Sequence, residues 1–413
     1  MLILSRFVER RPEAKSYYTL SASSVKFSFP PPSVLLGIRS NTKAIMKMSN
    51  CTFTYPGAPK PSMYDVSVAL SLSSRVGVVG ANGAGKSTMI KLLTGELIPQ
   101  DGVVWKHPNI RVGYVAQHAF HHLEMHLEKT PNQYIQWRYQ GGQDREVLEK
   151  ATRKLTDEDV AQMEKVVEFE GQKNKIEVLL GRQKLKKSYQ YEVKWVGLPH
   201  RHNKWLSREL LLEEGFHKLV QAFDDMEASR EGQGYRELVP SVIRQHIEQV
   251  GLPGDIADYN PISGLSGGQK VKVVLAAAMW NNPHMLVLDE PTNYLDREAL
   301  GGLAVAIREW GGAVIMISHN TEFVSALCPE LWHIEAGKLI KKGQVAVNEE
   351  NFEDSAEKIA KTVSKSSGKK KKLSRNELKA REVRRRARHM KWLSEGGEKE
   401  KVFVLKSTSN YIM

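Results

Sequence analysis

Short, wholly apolar runs that each end at a glycine or a polar residue punctuate the chain and predict buried strands. Residues 76–79 run into Gly80, residues 285–288 into Asp289, Ala313–Ile317 towards His319, and residues 113–116 into Gln117. Strands apolar on both faces are what a parallel sheet covered by helices requires. Between them, apolar positions at helical spacing predict helices over 87–93, 144–167 and 239–250; in the second of these Val147, Leu148, Ala151 and Leu155 share one stripe. From 177 to 211 the period changes to short strands, with a turn at Gly197-Leu198-Pro199-His200 and a closing helix. Residues 1–44 show no sustained period, and Pro30-Pro31-Pro32 forbids helix or central strand there, so this stretch is expected to be an arm or linker. Periodicity is lost again after Gly337.

With 413 residues and a hydrophobic fraction of 41%, the chain can bury two or three folded units. Only Cys51 and Cys328 are present, too few and too far apart for a disulfide framework, so a reducing compartment and quiet core thiols are expected. No apolar run approaches the roughly 20 residues a bilayer crossing needs. The opening residues lack the long apolar centre of a signal peptide, and Glu9 and Glu13 count against a transit peptide.

The net charge of +13 belongs to one place. Residues 361–392 hold 14 Lys or Arg against two Glu, a local excess of 12, so the basic character is a tail and the remainder is nearly neutral. Such runs are usually solvated extensions; beside an RNA partner the same run attracts phosphates by counterion release, and a nuclear address is the competing use.

The chemistry starts at Gly80-Ala81-Asn82-Gly83-Ala84-Gly85-Lys86-Ser87, followed by Thr88, which fits G-x-x-x-x-G-K-[ST] between a predicted strand and a predicted helix. Glycines let main-chain amides turn onto phosphates and the helix dipole adds attraction. Lys86 is suited to the outer phosphate oxygens and Ser87 to magnesium. The strand at 285–288 delivers Asp289 as a hard oxygen ligand for the same cation, and Glu290 follows as a carboxylate able to polarise water. A second anion-binding helix start stands at Ser266-Gly267-Gly268-Gln269, although a capping serine alone would look the same.

Two phosphate-binding surfaces with one lysine-bearing loop resemble an ATP-binding cassette, in which the Ser-Gly-Gly-Gln sequence closes over nucleotide held by an opposing cassette. The resemblance implies an α/β P-loop fold binding ATP and Mg2+. By position it implies Gln117 as the sensor of magnesium and γ-phosphate, His319 as the switch histidine, Asp296 as part of the loop facing the partner, and Tyr55 as the ring that stacks on adenine.

Between Gln117 and Leu265 lie 147 residues, where a small helical subdomain needs about 50 to 60. Within the excess, Tyr191-Glu-Val-Lys-Trp195-Val-Gly197, Asn203-Lys-Trp205 and Glu209-Leu-Leu211 resemble a chromodomain. A methyl-lysine cage is not expected in it, because Leu198 stands where an aromatic would be needed and none lies near Lys173 or Asn174; Trp195 is the one candidate wall, and Trp205 and Tyr191 are expected in the core.

A cassette with such an insert and a Lys-rich tail resembles the second cassette of translation elongation factor three. The similarity begins near Val25, runs through Thr130-Pro-Asn-Gln-Tyr-Ile-Gln-Trp137-Arg138 and reaches about Gly343, with Glu290-Pro-Thr-Asn-Tyr-Leu-Asp296 set apart from transporter cassettes by Asn-Tyr. The family implies a cytoplasmic ATPase acting on the ribosome, its insert reaching towards the tRNA exit site to promote release of deacylated tRNA. Nothing here matches that family's helical repeats or first cassette, so the sequence looks like the C-terminal part and needs a second cassette in cis, in trans or by self-pairing. The expected division is 1–44 arm, 45–170 first cassette part, 171–225 insert, 226–346 second cassette part and 347–413 tail. A transporter subunit and a non-catalytic RNA-binding fragment are the rival readings.

Overall fold

The computed structural model describes residues 27–116, 119–146, 164–169, 172–186, 188–233 and 236–347. All lie in the first of two compact units, which spans residues 1–352. The expected arm before residue 27, Gln117, most of the helix expected at 144–167, and the basic tail lie outside the described residues.

Strands β1 (Ala44–Phe53) and β2 (Met63–Ser71) lead to β3 (Arg75–Val79), helix α1 (Lys86–Thr94), β4 (Asp101–Lys106), β5 (Val112–Val115) and α2 (Pro131–Tyr139). The insert then contributes β6 (Val166–Phe169), β7 (Gln172–Leu185), β8 (Ser188–Trp195), β9 (Lys204–Ser207), α3 (Arg208–Glu213) and α4 (His217–Gln233). After α5 (Pro240–Gln249) and α6 (Gly254–Tyr259) come α7 (Gly267–Trp280), β10 (Met285–Asp289), α8 (Arg297–Glu309), β11 (Ala313–Ile317), α9 (Thr321–Leu327), β12 (Glu330–Glu335) and β13 (Lys338–Gly343).

The central sheet has the order β13-β12-β3-β11-β10-β5, and every neighbouring pair except β12 with β13 is parallel. Residues of β10 and β11 are buried throughout, as the unbroken apolar runs required. Alternation splits them between two cores. Leu286, Leu288, Val314 and Met316 pack with α7 to α9, while Met285, Val287, Ile315 and Ile317 face α1 and the antiparallel sheet β2-β1-β4.

One consequence of the order β3-β11-β10-β5 positions the site. These four parallel strands end at the same sheet edge, so the residues that follow each of them are brought together by topology alone. Val78 pairs with Ile317, Ile317 with Asp289, and Leu288 with Val115.

The insert is an antiparallel sheet, β6-β7-β8-β9, with its own core of Ile176, Leu179, Tyr191, Val193, Trp195, Leu206, Leu211, Phe216 and Val220. Its sheet starts at Val166, so the C-terminal end of the helix expected over 144–167 is strand instead. Trp195 is buried core and cannot wall a cage, whereas Trp205, expected in the core, is 42% exposed. Asp224 on α4 fastens the insert: Arg182 of β7 and Arg208 of α3 each donate to it at 2.6 Å, and the Tyr191 hydroxyl donates at 2.9 Å. From the same helix Gln221 donates to Thr94 O at 2.7 Å, at the end of α1.

Two further expectations change. Residues 27–44 are laid against the cassette instead of hanging free: Phe27 and Leu35 are buried, Trp310 Nε1 donates to Pro30 O at 2.8 Å, and Ser33 Oγ meets His284 Nε2 at 3.0 Å. An extended proline segment needs side-chain donors such as Trp310 because it makes few ladder bonds of its own. After Gly337, where periodicity fades, β13 forms an edge strand whose Lys338, Lys341 and Lys342 guard the open side.

Candidate functional site

The loop after β3 turns through Gly80 (φ +156), Gly83 (φ +78) and Gly85 (φ +108), backbone that favours glycine. At Gly80 a Cβ would stand 2.4 Å from Ile334 O, and at Gly85 2.7 Å from Ser62 O, so the loop is drawn tight against its neighbours. It opens into α1 with no side-chain cap on the helix start. The first amides of that helix therefore remain available to an anion. Lys86 Nζ donates to Gly80 O at 2.8 Å and Ala81 O at 3.0 Å, folding over the loop it follows. Asn82, Gly83 and Ser87 are exposed, Ala84 is half-buried and Thr88 is buried.

Tyr55 stands over this helix. Its hydroxyl lies 3.3 Å from Thr88 Oγ1 and its ring meets Phe53 edge-on at 4.9 Å, leaving 36% of the residue exposed. An apolar face held this way is available for stacking.

On the adjoining strands Asp289 and Glu290 are both buried. Tyr114, on β5, has its hydroxyl held protonated by burial, with the Asp289 charge adding to the effect. Glu290 takes a left-handed backbone (φ +53), and its amide donates to Ile317 O at 2.8 Å, so the turn is locked onto β11. Its Oε2 accepts from the His319 amide at 3.2 Å. Its Oε1 is shielded from solvent yet carries no hydrogen bond among the described residues; His319 Nε2 stands 3.4 Å away without bonding geometry. An acceptor left bare in this way is costly unless it has another use.

The second helix start is that of α7. Ser266 is exposed and caps α7: Gln269 N donates to Ser266 Oγ at 3.3 Å, and Ser266 N to Gln269 Oε1 at 2.9 Å. The capping reading is thus satisfied, and the first amides of α7, like those of any helix start, have no partner within the helix itself. Asp296 caps α8, accepting from Ala299 N at 2.7 Å, and its residue is exposed. Topology thus gathers Lys86, Ser87, Asp289, Glu290 and His319 on one sheet edge; Gln117 lies outside the described residues.

Sequence reasoning gave no role to Phe120, although it lies three residues beyond Gln117. Its ring packs on Tyr294 with centroids 4.6 Å apart, beside Gly267. A lone aromatic in a loop carries no periodic signal, so only the folded contact reveals it.

The family model described as "ABC transporter" matches residues 63–293. The mRNA export factor elf1 of Schizosaccharomyces pombe is 68% identical over 360 residues, covering 87% of this chain and 34% of that protein. Elongation factor 3 of Phytophthora infestans is 52% identical over 354 residues, covering 86% of this chain and 34% of that protein. The chain therefore spans about a third of the length of these curated relatives. Among solved structures, a dimeric bacterial ABC transporter cassette is 15% identical with a TM-score of 0.41, covering 72% of this chain and 98% of that one. With the family model matching more than half of its length, the chain belongs to the ABC transporter family of ATP-binding cassettes.

Proposed function

We propose that this cassette binds and hydrolyses ATP with Mg2+, paired with a second cassette, and acts in the cytoplasm on the ribosome during elongation to release deacylated tRNA from the exit site. The observation that carries the hydrolytic reading is Glu290 Oε1: buried, without a hydrogen bond among the described residues, one residue past Asp289 and 3.4 Å from His319 Nε2.

The residues suit the implied groups. No cluster of three His, Cys, Asp or Glu stands together among the described residues. Magnesium takes one or two protein ligands and otherwise phosphate oxygens and water. Ser87 and Asp289 would hold it with Gln117, where it would neutralise phosphate charge. Lys86 and the Gly80–Ser87 amides would hold the phosphates, and Tyr55 would lie on the adenine. Glu290 Oε1 would accept the proton of the attacking water, and His319 would steady that water and the γ-phosphate. Ser266, Gly267, Gly268 and Asp296 would serve nucleotide held by the opposing cassette.

The ribosomal part rests on similarity to elongation factor 3 and on the insert and tail. No described helix is long and apolar enough to cross a membrane, so the transporter reading has no support from a membrane span. The test is ribosome cosedimentation with a Glu290→Gln form. The variant is expected to bind ATP, hydrolyse it far more slowly and pellet with ribosomes when ATP is present; unchanged turnover removes Glu290 from the role, and no pelleting removes the ribosome.

A second reading is favoured by one finding, the 68% identity to a relative named as an mRNA export factor. In it the tail with its local excess of 12 positive charges would serve RNA attraction or nuclear entry. Ultraviolet crosslinking that recovers polyadenylated RNA in nuclei, with no ribosomal RNA, would select it.

A further inference from the structure

Tyr294 lies in the turn between Glu290 and the α8 cap, and it reaches away from that turn to the start of α7. Its left-handed backbone (φ +69) is unfavourable for a residue with a side chain, so the fold must hold it there. The turn is anchored on both sides of it. Asn293 N donates to Glu290 O at 3.2 Å, Thr292 Oγ1 meets Ser318 Oγ at 3.1 Å beside His319, and Asp296 caps α8.

At its outer end Tyr294 meets two other loops. The ring packs on Phe120, tilted by 57°. A Cβ on Gly267 would stand 3.3 Å from the Tyr294 ring and 3.5 Å from Phe120, and a Cβ on Gly268 would stand 2.9 Å from Tyr294 O. The two glycines therefore admit the tyrosine. Lys270 Nζ lies over the Phe120 ring, 5.9 Å from its centre.

We propose that Phe120 and Tyr294 are positioning residues: their contact holds the Ser266-Gly267-Gly268 helix start in register with the Glu290 turn of the same chain. This rests on the hydrolytic reading given above. A shift of the Glu290 turn cannot leave the α7 start in place while Tyr294 O and its ring abut the two glycines. Removing the rings frees the helix start without touching Lys86, Asp289 or Glu290.

The test uses the full chain with Tyr294→Phe, Tyr294→Gly, Phe120→Leu and the double variant Phe120→Leu/Tyr294→Gly. Glycine suits the left-handed backbone, and phenylalanine keeps the ring. Tyr294→Phe is expected to match the wild type. Tyr294→Gly and Phe120→Leu are expected to lower kcat by roughly tenfold while KM for ATP stays within about twofold, and the double variant to fall no further than the poorer single one. Hydrogen exchange over residues 266–273 should quicken in Phe120→Leu and not in Tyr294→Phe. Wild-type kcat in both ring-deleted forms, additive losses, or unchanged exchange in Phe120→Leu overturns the proposal. If the wild-type chain alone shows no turnover, the exchange measurement decides the coupling, and the hydrolytic reading is tested separately with a second cassette present.

Discussion

The His319 amide donates to Glu290 Oε2, which fixes one oxygen of that carboxylate and leaves the other 3.4 Å from His319 Nε2. The bond is made by the main chain, so it does not depend on the imidazole, whose side chain is 59% exposed. His319→Ala should therefore leave Glu290 in place and remove only what the ring does. Turnover is expected to fall by roughly 10², with Mg-ATP affinity nearly unchanged, measured by phosphate release and equilibrium binding. Equal turnover would take His319 out of the chemistry.

Gly85 and Gly83 separate conformation from space. Both have positive φ, but a Cβ on Gly83 would meet nothing within 4 Å, while one on Gly85 would stand 2.7 Å from Ser62 O and 2.8 Å from Met63 Sδ. Gly83→Ala should cost about 1 kcal/mol, the penalty of a left-handed alanine. Gly85→Ala adds a collision with main chain, so its loss should exceed that of Gly83→Ala by about 1–3 kcal/mol. Denaturant unfolding of the two variants side by side checks the order, and equal losses would refute the steric account.

The phosphate edge of the site was legible because the Gly80–Ser87 loop, Asp289, Glu290 and His319 each follow a strand whose own signal is strong. Four short apolar runs predicted β3, β5, β10 and β11, and the residues placed after them follow from chain order. What sequence could not give were features set by tertiary contact. Residues 27–44 have no period because Phe27 and Leu35 enter two different cores at isolated points. Strand β13 has only Leu339 and Ile340 as apolar residues because it is an edge with lysines outward. Trp205 looks like core by type, yet its indole lies over Gly181 on the outer side of the insert, where a Cβ would stand 3.3 Å away.

Asp224 holds two guanidinium groups and a phenol where the insert meets α4. Its side chain is 3% exposed and that of Arg182 6%, so the charges are desolvated together. Burial opposes the Arg208 charge, yet the Asp224 carboxylate beside it raises the Arg208 pKa. Asp224→Asn keeps the shape and removes the negative charge, stranding both cations. A loss of about 3–5 kcal/mol is expected, whereas Tyr191→Phe should lose about 1 kcal/mol. Denaturant unfolding reads both, and a loss below that of Tyr191→Phe would show that the cluster does not fasten the insert.

Three buried histidines make the fold sensitive to acid. Burial, helped by Arg236, holds His246 down to about 3. Burial with Arg111 and His107 holds His284 down to about 3, and burial with Lys43, Arg182 and Arg208 holds His107 down to about 4. His246 shows why: Arg236 Nη1 lies 2.6 Å from Nδ1, which must accept, and Nε2 lies 2.7 Å from Ala276 O, to which it donates. A proton on Nδ1 would face the guanidinium. In the unfolded chain each ring titrates near 6.5. Between about pH 6.5 and 4 the unfolded state then binds more protons, so stability is full above 6.5 and declines as pH falls. At pH 5 each histidine would have cost about 2 kcal/mol. His246→Gln retains a donor and an acceptor without titrating. Unfolding free energies at pH 7 and pH 5 should therefore differ less in that variant than in the wild type, by about 2 kcal/mol. An identical difference would mean that His246 is already protonated in the fold.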